Sequence, residues 1–561
     1  MRDSTQVHET TAPAHDNAAI PRDNVSPNEK IEAAEHLDTI DMDKSHGLVG
    51  HTNYHGIDTT HVQPGADAAY EAKISLLNEA LIDIGMGPFQ WKLFMLTGFG
   101  WFVDNTWLQA ITIVGPAIQR EFDVKRIAFL TVAKYTGLTV GASTWPLTAD
   151  FIGRRPAFNI TLLFSSISAL VAAGSPNFVA MCTLCALIGV GCGGNHAIDS
   201  AIFLEFIPAT HQHLLTVQSL FLAIGIATAA LVSWPLVVNF TCPPETPQDQ
   251  CGFHENIGWR YIYWTLGGLT LFLSILRFLF NTYETPKYLL GRGKDTAAVK
   301  VVSQIAARDG KTTWLTLAHF ENIDARLAEI RATTAEDSTP AEGSSKAILR
   351  RFFSKWTPEK VQGLFSAPRM ALSTSMMIVL WAAIGLSYPL YNSFIPFYLE
   401  RKGVKVGSGD LNTTYRDYTI QAICGIPAAI LGGYMVRLKH IGRKGTGALA
   451  CICTGLFLFL YTRADSSAGV LGFSCAISFF QFLVYGLLYS YTPELFPATI
   501  RGTGNGMMMM FNRMAGVMAP LIPAYMGVET NLPIWIAAAL ITTAGFVCLL
   551  LPYESRGRAA S

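Results

Sequence analysis

Two ionisable residues stand inside stretches that are otherwise apolar: Asp104 in "GFGWFVDNTWLQAI" and Arg513 in "MMMMFNRMAGVMAP". A charge in such a segment is costly unless it faces a cavity or a partner, so each is a functional candidate. A carboxyl group so placed can take up and release a proton as its access to water alternates. An arginine can hold an anion through paired N–H groups, or neutralise that carboxylate. Asp104 therefore has two readings, a proton-coupling group and a structural aspartate paired with a nearby cation. Asp199 and Asn195, in "GGNHAIDSAIF", and Trp381, Tyr388 and Tyr391, in "WAAIGLSYPLY", add polar groups and rings able to contact a solute.

A second charged set repeats. "LEFIPAT" around Glu205 returns as "PELFPATIR" around Glu494 and Arg501, an offset of 494 − 205 = 289. Gly153-Arg154-Arg155 returns as Gly442-Arg443-Lys444, and 442 − 153 is again 289. Asp150 lies three residues before Gly153, and Glu284 follows the sixth apolar stretch on the same side. Surface ion pairs form and break at about 0–1 kcal/mol each, which suits a latch between two moving bodies. The set Asp150, Gly153, Arg154, Arg155, Glu205, Glu284, Arg443, Glu494 and Arg501 is accordingly a candidate gate. Its alternative reading is that the charges solvate loop ends and set topology. Asp150 has the further option of capping a neighbouring helix N-terminus.

The elements that must hold these residues follow from composition. The chain has 561 residues, 50% hydrophobic and 15% charged, with a mean hydropathy of +0.31, too apolar for a soluble protein of this length. Windows of about 20 apolar residues give spans at roughly 91–118, 127–149, 157–175, 178–204, 214–238 and 259–282, then at roughly 370–396, 415–437, 446–462, 469–491, 504–526 and 533–552. The expected organisation is a disordered acidic tail over 1–85, a six-helix bundle over 86–284, a linker with surface helices over 285–368, a second six-helix bundle over 369–553 and a short tail over 554–561. Two landmarks at one offset, separated by an even number of spans, make the halves parallel repeats. The fold class expected is an all-α polytopic membrane protein of twelve transmembrane helices.

Basic residues set the orientation. Arg154, Arg155, Arg437, Lys439, Arg443, Lys444 and the linker's Arg350, Arg351 and Lys355 fall on one side, which the positive-inside rule makes cytosolic together with both termini. No apolar stretch opens the chain, so the first span must act as the targeting signal. Sequons at Asn239 and Asn412 fall on the opposite side, as do Cys242 and Cys251, the candidate disulfide among ten cysteines. Cys182 and Cys185 have a metal-like spacing but no other soft ligands nearby, so no metal is expected. Lys+Arg and Asp+Glu both number 41, a balance that offers nothing to nucleic acid.

"STWPLTADFIGRRPAFNIT", with Gly141, Asp150, Gly153, Arg154 and Arg155, resembles the loop signature of the major facilitator superfamily. "YETPKYLLGRG", with Glu284, Pro286 and Lys287, resembles the signature of its sugar-porter branch. "GPFQWKLF", "GGNHAIDSAIFLEFIPATHQHLL", "GWRYIYWTLGGLTLFLSILRF" and "YTPELFPATIRGTGNG" resemble the synaptic-vesicle-two-related proteins and their fungal relatives. The resemblance covers residues 80 to 555 and implies alternating access without naming a solute. The second basic loop departs from it, with Lys439 where the first has Asp150, which implies unequal gates.

The function expected is secondary active transport of a small organic solute (a sugar, an organic anion or a related metabolite), coupled to protons, by a monomer in the plasma membrane. Two alternatives stay open: export of a secondary metabolite by proton antiport, and a receptor or scaffold that keeps the fold without transport. Neither a Gly-x-Ser-x-Gly nor a phosphate-loop motif is present, so neither an enzyme nor a cofactor is expected.

Overall fold

The computed structural model describes residues 68–552 apart from 212–213, 244–245, 247–250, 281, 335–357, 407–409, 436–441, 497–500 and 528–529. The tail over residues 1–67, the middle of the linker and the last residues of the chain lie outside the described residues. In the first half the helices are α1 (Ala68–Ile84), α2 (Pro88–Ile113), α3 (Gly115–Phe122), α4 (Ala128–Ile152), α5 (Arg154–Ala172), α6 (Phe178–Phe206), α7 (Leu214–Val217), α8 (Ser219–Phe240) and α9 (Gly258–Leu279). The linker carries α10 (Pro286–Gly291), α11 (Asp295–Arg308), α12 (Leu317–Thr334) and α13 (Pro358–Gly363). The second half has α14 (Pro368–Asn392), α15 (Ile395–Val406), α16 (Leu411–Met435), α17 (Gly442–Thr462), α18 (Ser467–Leu495), α19 (Arg501–Met518), α20 (Leu521–Met526) and α21 (Leu532–Leu550).

The twelve spans are α2, α4, α5, α6, α8 and α9, then α14, α16, α17, α18, α19 and α21. Eight of them are individually long and apolar enough to cross a membrane. The other four, α2, α4, α16 and α19, carry Asp104, Lys134, Gln421 and Arg513. Their polarity is tolerated because these helices turn that side inward, where lipid does not reach.

Two expected boundaries shift for physical reasons. The tail expected to be disordered up to residue 85 ends earlier, since Ala68–Ile84 is helical. Its Leu77, Ala80, Leu81 and Ile84 share one face by their spacing and are buried in one cluster with Val302 and Ile305 of α11 and Phe320 of α12. The first span, expected as one helix over 91–118, ends at Ile113. Pro116 lies at the start of α3 and offers no N–H to continue the ladder.

Close packing of α4 on α6 comes from small residues in both. A Cβ at Gly137 or Gly141 would overlap the carbonyls of Ala186 or Val190, and one at Gly189 or Gly193 those of Lys134 or Leu138. Four-residue spacing on both helices lets the two backbones touch along a full turn.

The first half is also pinned by charge. Arg277 of α9 and Asp199 of α6 form an ion pair at 2.7 Å with both side chains 0% exposed. The remaining guanidinium nitrogens donate to the carbonyls of Phe158 at 2.9 Å and Leu96 at 3.2 Å. One side chain thereby ties together α2, α5, α6 and α9.

The linker helices form a platform beneath this half. Lys73 of α1 bonds Asp295 of α11 at 2.5 Å and Asp324 of α12 at 2.7 Å. Asp309, just past α11, accepts the Phe89 backbone N–H at 3.0 Å and so caps the start of α2.

Candidate functional site

Between the two halves lies a cavity of about 150 Å³. Eight spans border it, four from each half, so it sits where the repeats meet. From α2 come Asp104, Asn105 and Gln109; from α19 come Asn512 and Arg513. Tyr135 of α4, His196 of α6, Tyr388 of α14, Tyr418 of α16, and Tyr485 and Tyr489 of α18 supply rings.

Asp104 accepts a hydrogen bond from the Asn195 side chain at 2.9 Å. It has no ion pair among the described residues. Arg513 lines the same cavity and likewise makes no ion pair or hydrogen bond among them. Arg513, expected to hold an anion or to neutralise Asp104, thus lines the cavity with it, and its charge acts on that carboxyl without a direct ion pair. Desolvating a guanidinium without a partner is expensive, so its donors are best satisfied by water or a bound anion.

Three other expected solute groups sit elsewhere. Asp199, expected at the cavity, is consumed by Arg277. Trp381 is fully buried and donates to Thr492 of α18 at 3.0 Å. Tyr391 is fully buried against Tyr398 and Tyr461. Both aromatics belong to the packing of the second half. Tyr388 alone of the three lines the cavity.

Sequence reasoning passed over Tyr485 and Tyr489. Their four-residue spacing in "FFQFLVYGLLYSYTPEL" places them on one face of α18, a signal hidden by the apolar residues on every other face. Their rings are near parallel, with centroids 6.2 Å apart at 28°.

The disulfide joins Cys242 to Cys251, and this face of the molecule is closed by contacts between the halves. Arg120 donates to the Cys242 carbonyl at 3.1 Å and pairs with Glu400 of α15 at 2.8 Å. Tyr415 donates to the Ile113 carbonyl at 3.2 Å, and Trp234 donates to the side chain of the sequon residue Asn412 at 2.8 Å. Asn239, the other sequon residue, is exposed in the last turn of α8.

At the opposite face, where the linker lies, the candidate gate charges meet within one half. Arg154 pairs with Asp150 and with Glu205, both at 3.3 Å. Glu284 accepts the backbone N–H groups of Arg154 at 2.9 Å and Arg155 at 3.3 Å, which caps α5. The capping role considered for Asp150 therefore belongs to Glu284, whose position after α9 brings it to that helix start. Burial raises the Glu284 carboxyl above its ordinary value, against the lowering effect of these N–H groups and of the Arg154 charge. A latch between halves needs partners from the second half, but the side chains of Arg443, Glu494 and Arg501 lie outside the described residues.

Gly153 has φ 109°, a backbone conformation that L side chains rarely adopt, and a Cβ there would lie 2.5 Å from Glu284 Oε2. Gly153→Ala should cost about 1–3 kcal/mol and lower the thermal unfolding midpoint. Gly268→Ala, where a Cβ meets nothing within 4 Å, should leave the midpoint unchanged. Equal midpoints for the two variants would count against the assigned strain.

Residues 93–520 match the model of the Major Facilitator Superfamily. The chain is 42% identical over 498 residues to the MFS siderochrome iron transporter 1 of Ceriporiopsis subvermispora, covering 88% of this chain and 93% of that one. It is 39% identical over 547 residues to the major facilitator-type transporter hxnZ of Emericella nidulans, covering 96% and 94%. Among solved structures, the partially occluded inward open conformation of the xylose transporter XylE from E. coli superposes with a TM-score of 0.59 at 14% identity, over 84% of this chain and 99% of that one.

Proposed function

The chain belongs to the Major Facilitator Superfamily, and from that premise we propose that it is a proton-coupled secondary transporter whose solute is a small organic anion. The observation that carries this reading is Arg513, a guanidinium in the central cavity with no ion pair or hydrogen bond among the described residues. An anion supplies the missing acceptor, and a carboxylate matches the paired N–H geometry of arginine. Asp104 borders the same space and is the group to carry the exchangeable proton. The hydrogen bond it accepts from the Asn195 amide is compatible with either protonation state.

The relative named as a siderochrome iron transporter leaves the cargo open. An iron chelate with several donor arms is far larger than a cavity of about 150 Å³, which favours a compact solute in this conformation. Of the lining amides, some already serve the protein, while Gln481 Nε2 and Gln421 Oε1 have no hydrogen-bond partner among the described residues. Asn392 donates to Gln481 at 2.8 Å and Asn512 to the Trp381 carbonyl at 3.1 Å.

In the same proposal the linker, the basic loops and both termini are cytosolic, and the protein works as a monomer in the plasma membrane. The set Asp150, Arg154, Glu205 and Glu284 forms the cytosolic end of the gate. Purified protein in liposomes with an imposed pH gradient, challenged with a mixture of small metabolites, tests the function. Gradient-dependent movement of an organic anion is expected, and Arg513→Gln should reduce its uptake at least about tenfold through loss of a charge-assisted pair. Uptake unchanged by Arg513→Gln would remove the anion reading. Movement of no solute would favour the receptor alternative.

A further inference from the structure

Resting on the organic-anion reading, we infer that the solute is a single-ring aromatic acid whose ring lies on the tyrosines of α18 while its carboxylate meets Arg513. The cavity's rings are ordered. Tyr485 and Tyr489 lie near parallel, and Tyr489 continues at 5.6 Å and 30° to His196 of the other half. His196 stacks in turn on Trp101 at 4.0 Å and 27°. Tyr388 stands edge-on to Tyr485, at 5.0 Å and 87°. Tyr388, Tyr485, Tyr489 and His196 all line the cavity, an aromatic wall that a flat ring can meet by face or by edge.

Size limits the ring count. A cavity of about 150 Å³ is the size that accepts one benzene ring. Several lining amides already serve the protein: Asn392 donates to Gln481 Oε1, Asn512 to the Trp381 carbonyl, and Asn105 to the Trp101 carbonyl at 3.4 Å. Among the described residues, the cavity offers the Arg513 guanidinium without an ion pair, a few unbonded polar atoms such as Gln481 Nε2 and the Tyr418 hydroxyl, and a set of aromatic rings.

Binding to the purified full chain in nanodiscs, measured by titration calorimetry, tests this with three probes: benzoate, cyclohexanecarboxylate and a hexose. The two acids match in charge and approximate size and differ in the aromatic face. Benzoate should bind about threefold to tenfold more tightly than cyclohexanecarboxylate, the range expected for one aromatic contact. Tyr489→Leu should erase that difference, and Tyr489→Phe, which keeps the ring and serves as the folding control, should retain it. Arg513→Gln should weaken both acids together. Equal binding of the two acids, or a preference that survives both Tyr489→Leu and Tyr485→Leu, would overturn the aromatic inference and leave the anion reading standing. Binding of the hexose with neither acid would overturn both, and absence of benzoate binding would overturn the inference whichever other probe binds.

Discussion

Arg277→Met should cost about 3–5 kcal/mol, the range for removing one member of a buried ion pair. Three bonds are lost at once: to Asp199 at 2.7 Å, to the Phe158 carbonyl at 2.9 Å and to the Leu96 carbonyl at 3.2 Å. Asp199 would be left fully buried without its cation. A Cβ at the neighbouring Gly100 would overlap the aspartate oxygen, so the backbone has no slack to bring another group in. The variant should give little monodisperse protein by size exclusion and a lower unfolding midpoint. Arg277→Lys should not rescue it, because one ammonium cannot replace a planar fork that reaches three acceptors on three helices. Adding Asp199→Asn to Arg277→Met should recover part of the loss by removing the stranded charge. A wild-type midpoint for Arg277→Met would show that the pair is not what holds α2, α5, α6 and α9 together.

Asp104→Asn should abolish accumulation against a gradient while leaving exchange of solute across the membrane. With one proton per solute, each unit of pH difference supports about a tenfold concentration ratio at equilibrium. The asparagine cannot carry that proton, so the ratio should fall to about one, its value without a driving force. Asn195 can still donate to the new amide oxygen, and the site should remain folded. The same measurement in the parent protein separates two directions of coupling: a symporter accumulates solute on the alkaline side and an antiporter on the acidic side. Accumulation that persists in Asp104→Asn would move the coupling group elsewhere.

Much of the architecture was legible because a span needs about 20 apolar residues in a row, and because two landmarks shared the offset 289. Asp104 and Arg513 were legible for a related reason, since an isolated charge in an apolar run has few inexpensive explanations. Which ring would border the cavity was not legible. Trp381, Tyr388 and Tyr391 lie within a stretch apolar on all sides, so nothing in it said that only Tyr388 would face the cavity. Pairing was not legible either. Asp199 and Arg277 are 78 residues apart on different helices, and only their packing shows that one satisfies the other. The same holds for Glu284 and the start of α5, where the cap arrives from across the bundle.

The platform of α1, α11 and α12 shares a buried cluster with Phe89, Leu93, Phe158 and Ile198 of the first half, and Asp309 holds the first residues of α2. It is therefore fixed to that half, and in the proposed alternating access it would tilt with it as ballast fixed to a keel. A binder or fluorophore attached to α12 would then act as a pointer, reporting from outside the membrane whether the six helices of that half rock.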